Sequence, residues 1–165
     1  MLSLASSLDL PKLLNALDDL PYVKEGNYIE MASVQSQRFL GSRPLIRYAI
    51  EELESLRKLD CVYIMVNVLP SGAEVPWHQD FLEPTPLQPY KHPLIERWHL
   101  PVLTNTATKF ETKTFPYDDE YMKKGFWWGP VPYWKHHRVV NYGDTRRVHL
   151  IVDLDCPEPC GAYEK

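Results

Sequence analysis

No apolar run in this 165-residue chain approaches the roughly 20 residues a membrane-spanning helix needs, which argues against a helical membrane protein. The opening Met1-Leu2-Ser3-Leu4-Ala5-Ser6-Ser7 has no basic start and runs into Asp9, so it does not read as a secretory signal. Basic residues are in deficit, 18 against 22 acidic, and the net charge of −4 argues against a broad nucleic-acid footprint while leaving room for a local groove. Cysteine is scarce and odd in number (Cys61, Cys156, Cys160), which fits a reducing, cytoplasmic setting. The tail Cys156-Pro157-Glu158-Pro159-Cys160 is expected to carry two free thiols rather than a closed ring or a metal clip. Glycine is also scarce, seven residues against fifteen prolines, and this balance favours ordered, irregular connections in a β-rich domain over a helix bundle. No internal repeat, low-complexity segment or domain boundary is visible, so one domain over 1–165 is expected.

What is present is an ordinary globular composition, 44% hydrophobic and 24% charged. Leu10, Leu13, Leu14 and Leu17 form a helical stripe behind Asp9 as N-cap and Pro11 in the first turn, with Pro21 ending the helix. A second helix is expected from near Ser42 to about Lys58, burying Leu45, Tyr48, Ala49, Leu53 and Leu56, with Glu51, Glu52 and Glu54 facing water. Both helices read as packing elements against a sheet. Cys61 to Leu69 is β-branched and apolar, a buried strand, and Pro70-Ser71-Gly72 is a turn. Residues from Phe81 to Glu96 read as a long proline-rich loop. Strands follow at Arg97–Leu103, with Arg97 and His99 on one face, and at Lys109–Phe115, then an acidic helical turn over Tyr117–Lys124. His136 to Leu154 reads as a hairpin around Asn141-Tyr142-Gly143-Asp144, its second strand alternating Val148, Leu150, Val152 and Leu154 against Arg147, His149, Ile151 and Asp153. Helices over about 1–60 and roughly eight short strands over about 61–156 give a mainly β fold with N-terminal helices, a double-stranded β-helix of jelly-roll, cupin-like type.

The chemistry concentrates at Val75-Pro76-Trp77-His78-Gln79-Asp80 and at Trp134-Lys135-His136-His137. A His-x-Asp pair with a distant His is the ligand set of a 2-His-1-carboxylate facial triad, which holds one face of a ferrous ion and leaves the other open. In an extended segment His78 and Asp80 point the same way, so the third ligand has to come from elsewhere in the fold, His137 or its neighbour His136. Arg147 follows His137 by ten positions. With a three-residue loop and Gly143 left-handed the two face each other across the hairpin; a four-residue loop pairs His137 differently. A guanidinium beside a metal ligand can clamp a carboxylate through two hydrogen bonds.

Four segments taken together, Leu69-Pro70-Ser71-Gly72-Ala73-Glu74-Val75-Pro76-Trp77-His78, Arg97-Trp98-His99-Leu100-Pro101, His137-Arg138-Val139-Val140-Asn141 and Arg147-Val148-His149-Leu150-Ile151-Val152-Asp153, resemble the aspartyl/asparaginyl β-hydroxylase family of 2-oxoglutarate- and Fe(II)-dependent oxygenases, over about residues 62–158. The resemblance implies iron on His78 and His137 and 2-oxoglutarate contacts from Arg97, His99, Arg147 and Asn67; if His137 and Arg147 are paired, His136 points to the other face. The members most similar have glycine where this chain has Asp80, so this chain looks like the fuller triad of the wider superfamily. An acidic residue there also argues against a halogenase. The longer stretch between His78 and Arg97 leaves the family's substrate untransferred.

The resemblance thus implies an iron dioxygenase using 2-oxoglutarate and dioxygen to hydroxylate an unactivated C–H of an amino acid, peptide or protein side chain. Phe81, Trp127, Trp128, Tyr133 and Trp134 are candidates for lining its pocket, and His149 for lining the cavity without ligating. An oxygenase acting on a nucleobase predicts a basic rim, for which Lys109, Lys113, Lys123, Lys124, Lys135 and Arg138 are scattered among acids. A non-catalytic jelly-roll sensor of metal or organic acid has no need of open metal positions. A hydrolytic zinc site lacks an evident general base.

Overall fold

A computed structural model of the chain describes residues 1–20, 29–32, 43–80, 95–113, 121–132 and 135–156. Pro21, Phe81, His92, Tyr133, Trp134, Cys160 and most of the expected proline-rich loop lie outside these residues. Two antiparallel sheets and two helices make up the described part, and the fold is a jelly roll, as the sequence led us to expect.

Helix α1 (Leu10–Asp18) starts where the Asp9 carboxylate accepts the Lys12 N–H at 3.2 Å, and it buries Leu13 and Leu17. Helix α2 (Pro44–Arg57) opens on a proline and closes on Lys58, whose φ of 57° lets its N–H turn back to the Glu54 carbonyl. Its buried face is Ile46, Ala49, Ile50 and Leu53, one continuous i, i+3, i+4, i+7 stripe. This corrects the expected face: Tyr48 and Leu56 are exposed. Nor do the acids on this helix simply face water. Glu52 accepts hydrogen bonds from Ser6, Ser7 and Trp127, and Glu54 accepts one from the Cys61 N–H.

The strands are β1 (Leu2–Ala5), β2 (Ile29–Ala32), β3 (Cys61–Leu69), β4 (Glu74–His78), β5 (Ile95–Leu103), β6 (Thr108–Thr112), β7 (Phe126–Gly129), β8 (His137–Asn141) and β9 (Arg147–Asp155). The larger sheet has the order β1-β7-β5-β9-β3-β2, the smaller β4-β8-β6. Strands β1 and β2 join the helices in the N-terminal part, β1 where a helical part was expected and β2 in a stretch to which the sequence pattern assigns no element. Residues 121–125 hold no helix, so the described end of the expected acidic helical turn is irregular.

The larger sheet has two unlike faces because its central strands alternate. Val66, Val68, Trp98, Leu100, Val148, Leu150 and Val152 join Leu13, Leu17, Ile46 and Leu53 in one core beneath the helices. Each such side chain contributes about 1.5–3 kcal/mol by leaving water. The other face turns Asn67, Arg97, His99, Arg147, His149 and Asp153 toward the smaller sheet, all of them buried. That polar face is the floor of the candidate site.

The expected hairpin at 136–154 is not formed. Strand β8 pairs with β4 and β6, β9 pairs with β3 and β5, and the connection crosses from one sheet to the other. Asn141 holds this crossover, its amide donating to the carbonyls of Leu69, Pro70 and Thr145. Gly143 is not in the left-handed region. A Cβ there would run into the Asn105 side chain, which is held by hydrogen bonds to Asn141 and Thr145. Cys156 is disulfide-bonded, which corrects the expectation of two unpaired tail thiols, and Cys61 is buried. Among the described residues no helix is long and apolar enough to cross a membrane.

Candidate metal centre

Strands β4 and β8 run antiparallel with Glu74 opposite Val140 and Val75 opposite Val139, but His78 falls opposite His137. Three steps along β4 match two along β8, so β4 carries a bulge between Val75 and His78, in the stretch that contains Pro76, which has no N–H to give the ladder. Simple alternation from Val75 would put His78 on the outer face. The extra residue turns it inward, beside His137, and leaves Trp77 outside under the cations of Lys113 and Arg138. The two imidazoles lie with ring centroids 4.3 Å apart. Asp80 follows beyond the end of β4, so its approach to the histidines comes from the chain leaving the sheet rather than from strand alternation.

His78, Asp80 and His137 each offer a donor atom, all within 4.8 Å of one another. His78 Nε2 is 3.1 Å from Asp80 Oδ1, and His137 Nε2 is 3.8 Å from Asp80 Oδ2. Two adjacent ligands about 2.1 Å from one metal ion stand roughly 3 Å apart, so the first spacing suits a shared ion. The tautomers follow from the partners. His78 Nδ1 lies 2.7 Å from the Pro76 carbonyl and His137 Nδ1 lies 2.8 Å from the Lys135 carbonyl. A carbonyl only accepts, so each Nδ1 carries a proton and Nε2 is the ring nitrogen that can ligate. Lone pairs facing a carboxylate oxygen at such distances need a cation between them, a proton or a metal ion. Burial holds His137 below the ordinary imidazole range against the opposing pull of the Lys135 carbonyl and Asp80, which favours the neutral, ligating form. The donor set fits a metal ion, and a carbonyl behind each ring is the outer-shell partner that such histidines normally have.

These donors face a cavity of about 70 Å³ between the sheets, which also meets Asn67, Arg97, His99 and Arg147. Arg147 is 1% exposed and among the described residues its charge has no carboxylate partner: it donates to the Asn67 side-chain oxygen and, from Nη2, to His149 Nδ1 at 2.7 Å. Its Nε is buried without a hydrogen-bond partner, as is His149 Nε2. Burial lowers the Arg147 pKa to about 9, which still leaves the group charged at neutral pH. Because arginine only donates, His149 accepts on Nδ1 and is neutral. Burial, reinforced by the Arg147 charge, pushes both His149 and His99 well below the usual imidazole range. A buried cation with neutral partners and an idle N–H is a receptor for an anion.

Arg97 is placed differently. Its Nε and Nη2 take the two oxygens of Asp153 at 2.8 Å each, and its Nη1 donates to Asp80 Oδ2. The structure thus gathers all seven sequence-predicted site residues around one cavity, with Arg147 at the start of β9 and Arg97 opposite Asp153 near its other end. His136 is exposed, away from the centre. Trp127 is fully buried in the helix-side core and Trp128 donates to the Lys123 carbonyl, so neither lines the cavity. The aromatic that does is Phe110, stacked on His137 at 5.2 Å. Phe110 and Asp153 are the residues that sequence reasoning missed. Phe110 sits on an inward position of β6, and strand alternation alone could have flagged it.

No family model matches the sequence, and no curated protein matches it. Solved structures do share the fold. The chain is similar to a non-heme monooxygenase, ThoJ, in complex with nickel (TM-score 0.55, 14% identity, covering 96% of this chain and 74% of that one). It is also similar to a viral collagen prolyl hydroxylase from Paramecium Bursaria Chlorella virus-1 in complex with 2-oxoglutarate (TM-score 0.55, 14% identity, covering 95% of this chain and 96% of that one).

Proposed function

We propose that this protein is an Fe(II)- and 2-oxoglutarate-dependent dioxygenase that hydroxylates an unactivated C–H of an amino acid, peptide or protein side chain. The observation that carries the reading is one cavity holding both a His78–Asp80–His137 donor set and a buried arginine, Arg147, with no carboxylate partner among the described residues. Charge supports it. Arg97 and Arg147 balance Asp80 and Asp153 around the cavity, so a divalent cation alone or a dicarboxylate alone leaves the buried site charged, whereas the two together leave it neutral. The neighbouring folds, one bound to 2-oxoglutarate and one to nickel, are in keeping with this pairing.

In this reading His78 and His137 hold the iron through Nε2 and Asp80 holds it through a carboxylate oxygen, three ligands that leave coordination positions free. Iron with 2-oxoglutarate and dioxygen supplies the oxidising power for the C–H bond. The chain's own work is binding and exclusion. Arg147 takes the carboxylate of 2-oxoglutarate distant from the metal, and Asn67 and His149 hold the guanidinium in place for it. Phe110 fixes the His137 ring, and Val75, Val139 and Ile151 keep the surroundings apolar. Among the described residues the cavity lining holds no lysine, and its two arginines point inward to Asp80, Asp153 and Asn67 rather than forming a rim; we therefore prefer amino-acid, peptide or protein side chains to a nucleobase as the substrate class.

The test is anaerobic titration with Fe(II) and 2-oxoglutarate, followed by visible absorption for the metal-to-ligand charge-transfer band of a chelate. The band is expected in the parent protein and absent in His137→Ala. Iron binding with no band on adding 2-oxoglutarate would return the protein to a metal sensor.

A further inference from the structure

Asp80 is the one member of the donor set that no strand holds. Strand β4 ends at His78, and Asp80 is a quarter exposed, so no ladder hydrogen bond sets the direction of its carboxylate. What does hold it is Arg97, whose Nη1 donates to Oδ2. Arg97 is itself fixed. It lies opposite Asp153 on β5 and β9, and the two-pronged pair with that carboxylate is fully buried on the aspartate side. Its carbonyl accepts the Val131 N–H at 2.8 Å, tying the backbone beneath it as well.

This division of a guanidinium has a consequence for the carboxylate it touches. Asp153 fills the Nε/Nη2 edge, so Arg97 meets Asp80 through Nη1. It therefore engages a single oxygen, Oδ2, and Oδ1 is left 3.1 Å from His78 Nε2. A freely rotating Asp80 would present either oxygen, or both, and a bidentate carboxylate would occupy a second metal position. With Oδ2 engaged by Arg97 and 3.8 Å from His137 Nε2, the oxygen free of the guanidinium and nearest a histidine is Oδ1.

We propose that Arg97, braced by Asp153, is a positioning residue for Asp80: it selects the oxygen that ligates the metal and holds that carboxylate to a single donor. The inference rests on the metal reading above, and it gives Arg97 a task other than the 2-oxoglutarate contact that sequence resemblance implies for it. Asp153, buried and remote from the metal, acts through Arg97.

The experiment uses Co(II) alone, with no organic acid present, titrated into the full chain and followed by its visible d–d absorption. In Arg97→Lys the charge stays but the planar fork is lost, and an ammonium cannot bridge both carboxylates in the same geometry. Loss of an outer-shell partner of this kind typically weakens metal binding by roughly 10–100-fold. That weakening is expected, with an altered Co(II) spectrum. In an Asp80→Asn background, Arg97→Lys should produce no further loss, because its effect runs through the carboxylate. Should Arg97→Lys fail to fold with Asp153 unpaired, the double variant Arg97→Gln/Asp153→Asn removes both charges together and is expected to show the same weakening and the same altered spectrum. If the parent binds Co(II) in a His137-dependent way and these variants bind it equally well, the positioning role is overturned and the metal site stands. If Arg97→Lys weakens Co(II) as much in the Asp80→Asn background as in the parent, Arg97 acts through the fold instead. If the parent binds no Co(II), the metal reading itself fails.

Discussion

His78 and His137 face each other directly across β4 and β8, and each gives its Nδ1 proton to a carbonyl two residues earlier in its own chain. The two rings are thus set by the same local device on two strands, and their Nε2 atoms converge because a bulge rotates His78 inward. His137→Ala removes one of three ligands, and metal affinity should fall by at least roughly 100-fold, the upper end of the losses seen for mere outer-shell changes. His136→Ala should leave the affinity as it was, since His136 is exposed and turned away. Isothermal titration with Fe(II) under argon separates the two. Equal loss in both variants would mean that the neighbouring histidines share the role and that the site is misassigned.

Arg147 and Asn67 form the second relationship that function depends on. Truncating one partner of a buried charge-assisted pair costs about 2–5 kcal/mol, which is a weakening of roughly 30-fold or more. Arg147→Met, which keeps a long side chain without charge, should therefore weaken 2-oxoglutarate binding by at least that factor. The metal and the dianion neutralise each other's excess charge, so each should tighten the other in the parent. With metal present, 2-oxoglutarate at one concentration should raise the parent's Tm clearly more than that of Arg147→Met. A variant that still gains the same Tm from 2-oxoglutarate would place the anion elsewhere.

Gly129 ends β7 where the chain passes the Trp98 indole. A Cβ there would lie 2.5 Å from Trp98 Cδ2 and 2.9 Å from the Arg97 carbonyl oxygen. Trp98 is fully buried in the core and cannot swing away, and backbone cannot yield cheaply. Gly129→Ala should cost about 1–3 kcal/mol by overpacking, or a Tm lower by roughly 2–4 °C for each kcal/mol. Thermal unfolding followed by circular dichroism reads this directly; an unchanged Tm would show that β7 can shift away from β5.

The parts of the site that were legible in the sequence are those fixed by local alternation. The row Arg147, His149, Ile151, Asp153 and the pair Arg97, His99 occupy one face of their strands because the residues between them are apolar and wanted by the helix-side core. What depends on pairing between distant strands was not legible. The β4 bulge is a property of β4 against β8, some sixty positions apart, and nothing within Glu74–His78 announces its register. The crossover after Asn141 carries the same Asn, Gly and Asp that a hairpin turn would carry, so composition could not tell a turn within a sheet from a passage between sheets. Asp153 looked like one more polar residue in an alternating row, since the arginine that gives it meaning lies 56 positions earlier. On α2 the helical spacing admits two overlapping stripes that share Ala49 and Leu53, and packing decides for Ile46 and Ile50 over Tyr48 and Leu56.

His99 and His149 give the metal-free protein a predictable response to acid. Both are buried and both are pushed well below the ordinary imidazole value by burial and then by the Arg147 charge. In the unfolded chain they titrate near pH 6.5. Between that value and their lower folded values the unfolded state binds more protons than the folded one, so stability rises with pH. Their contribution is therefore complete above about pH 6.5 and is lost as the pH falls below it, with a slope approaching about 1.4 kcal/mol per pH unit for each group. His137, lowered in the same sense, adds to the trend. Urea unfolding of the metal-free protein between pH 7.5 and 5.5 reads this trend apart from the unfolded carboxylates, which, with pKa values near 4, remain largely ionised throughout. Replacing His149 by Asn, which does not titrate, should flatten the slope by about one group's share. A stability that stays constant or increases on acidification would mean that one of these histidines is protonated in the folded state, and the neutral acceptor assigned to His149 beside Arg147 would have to be abandoned.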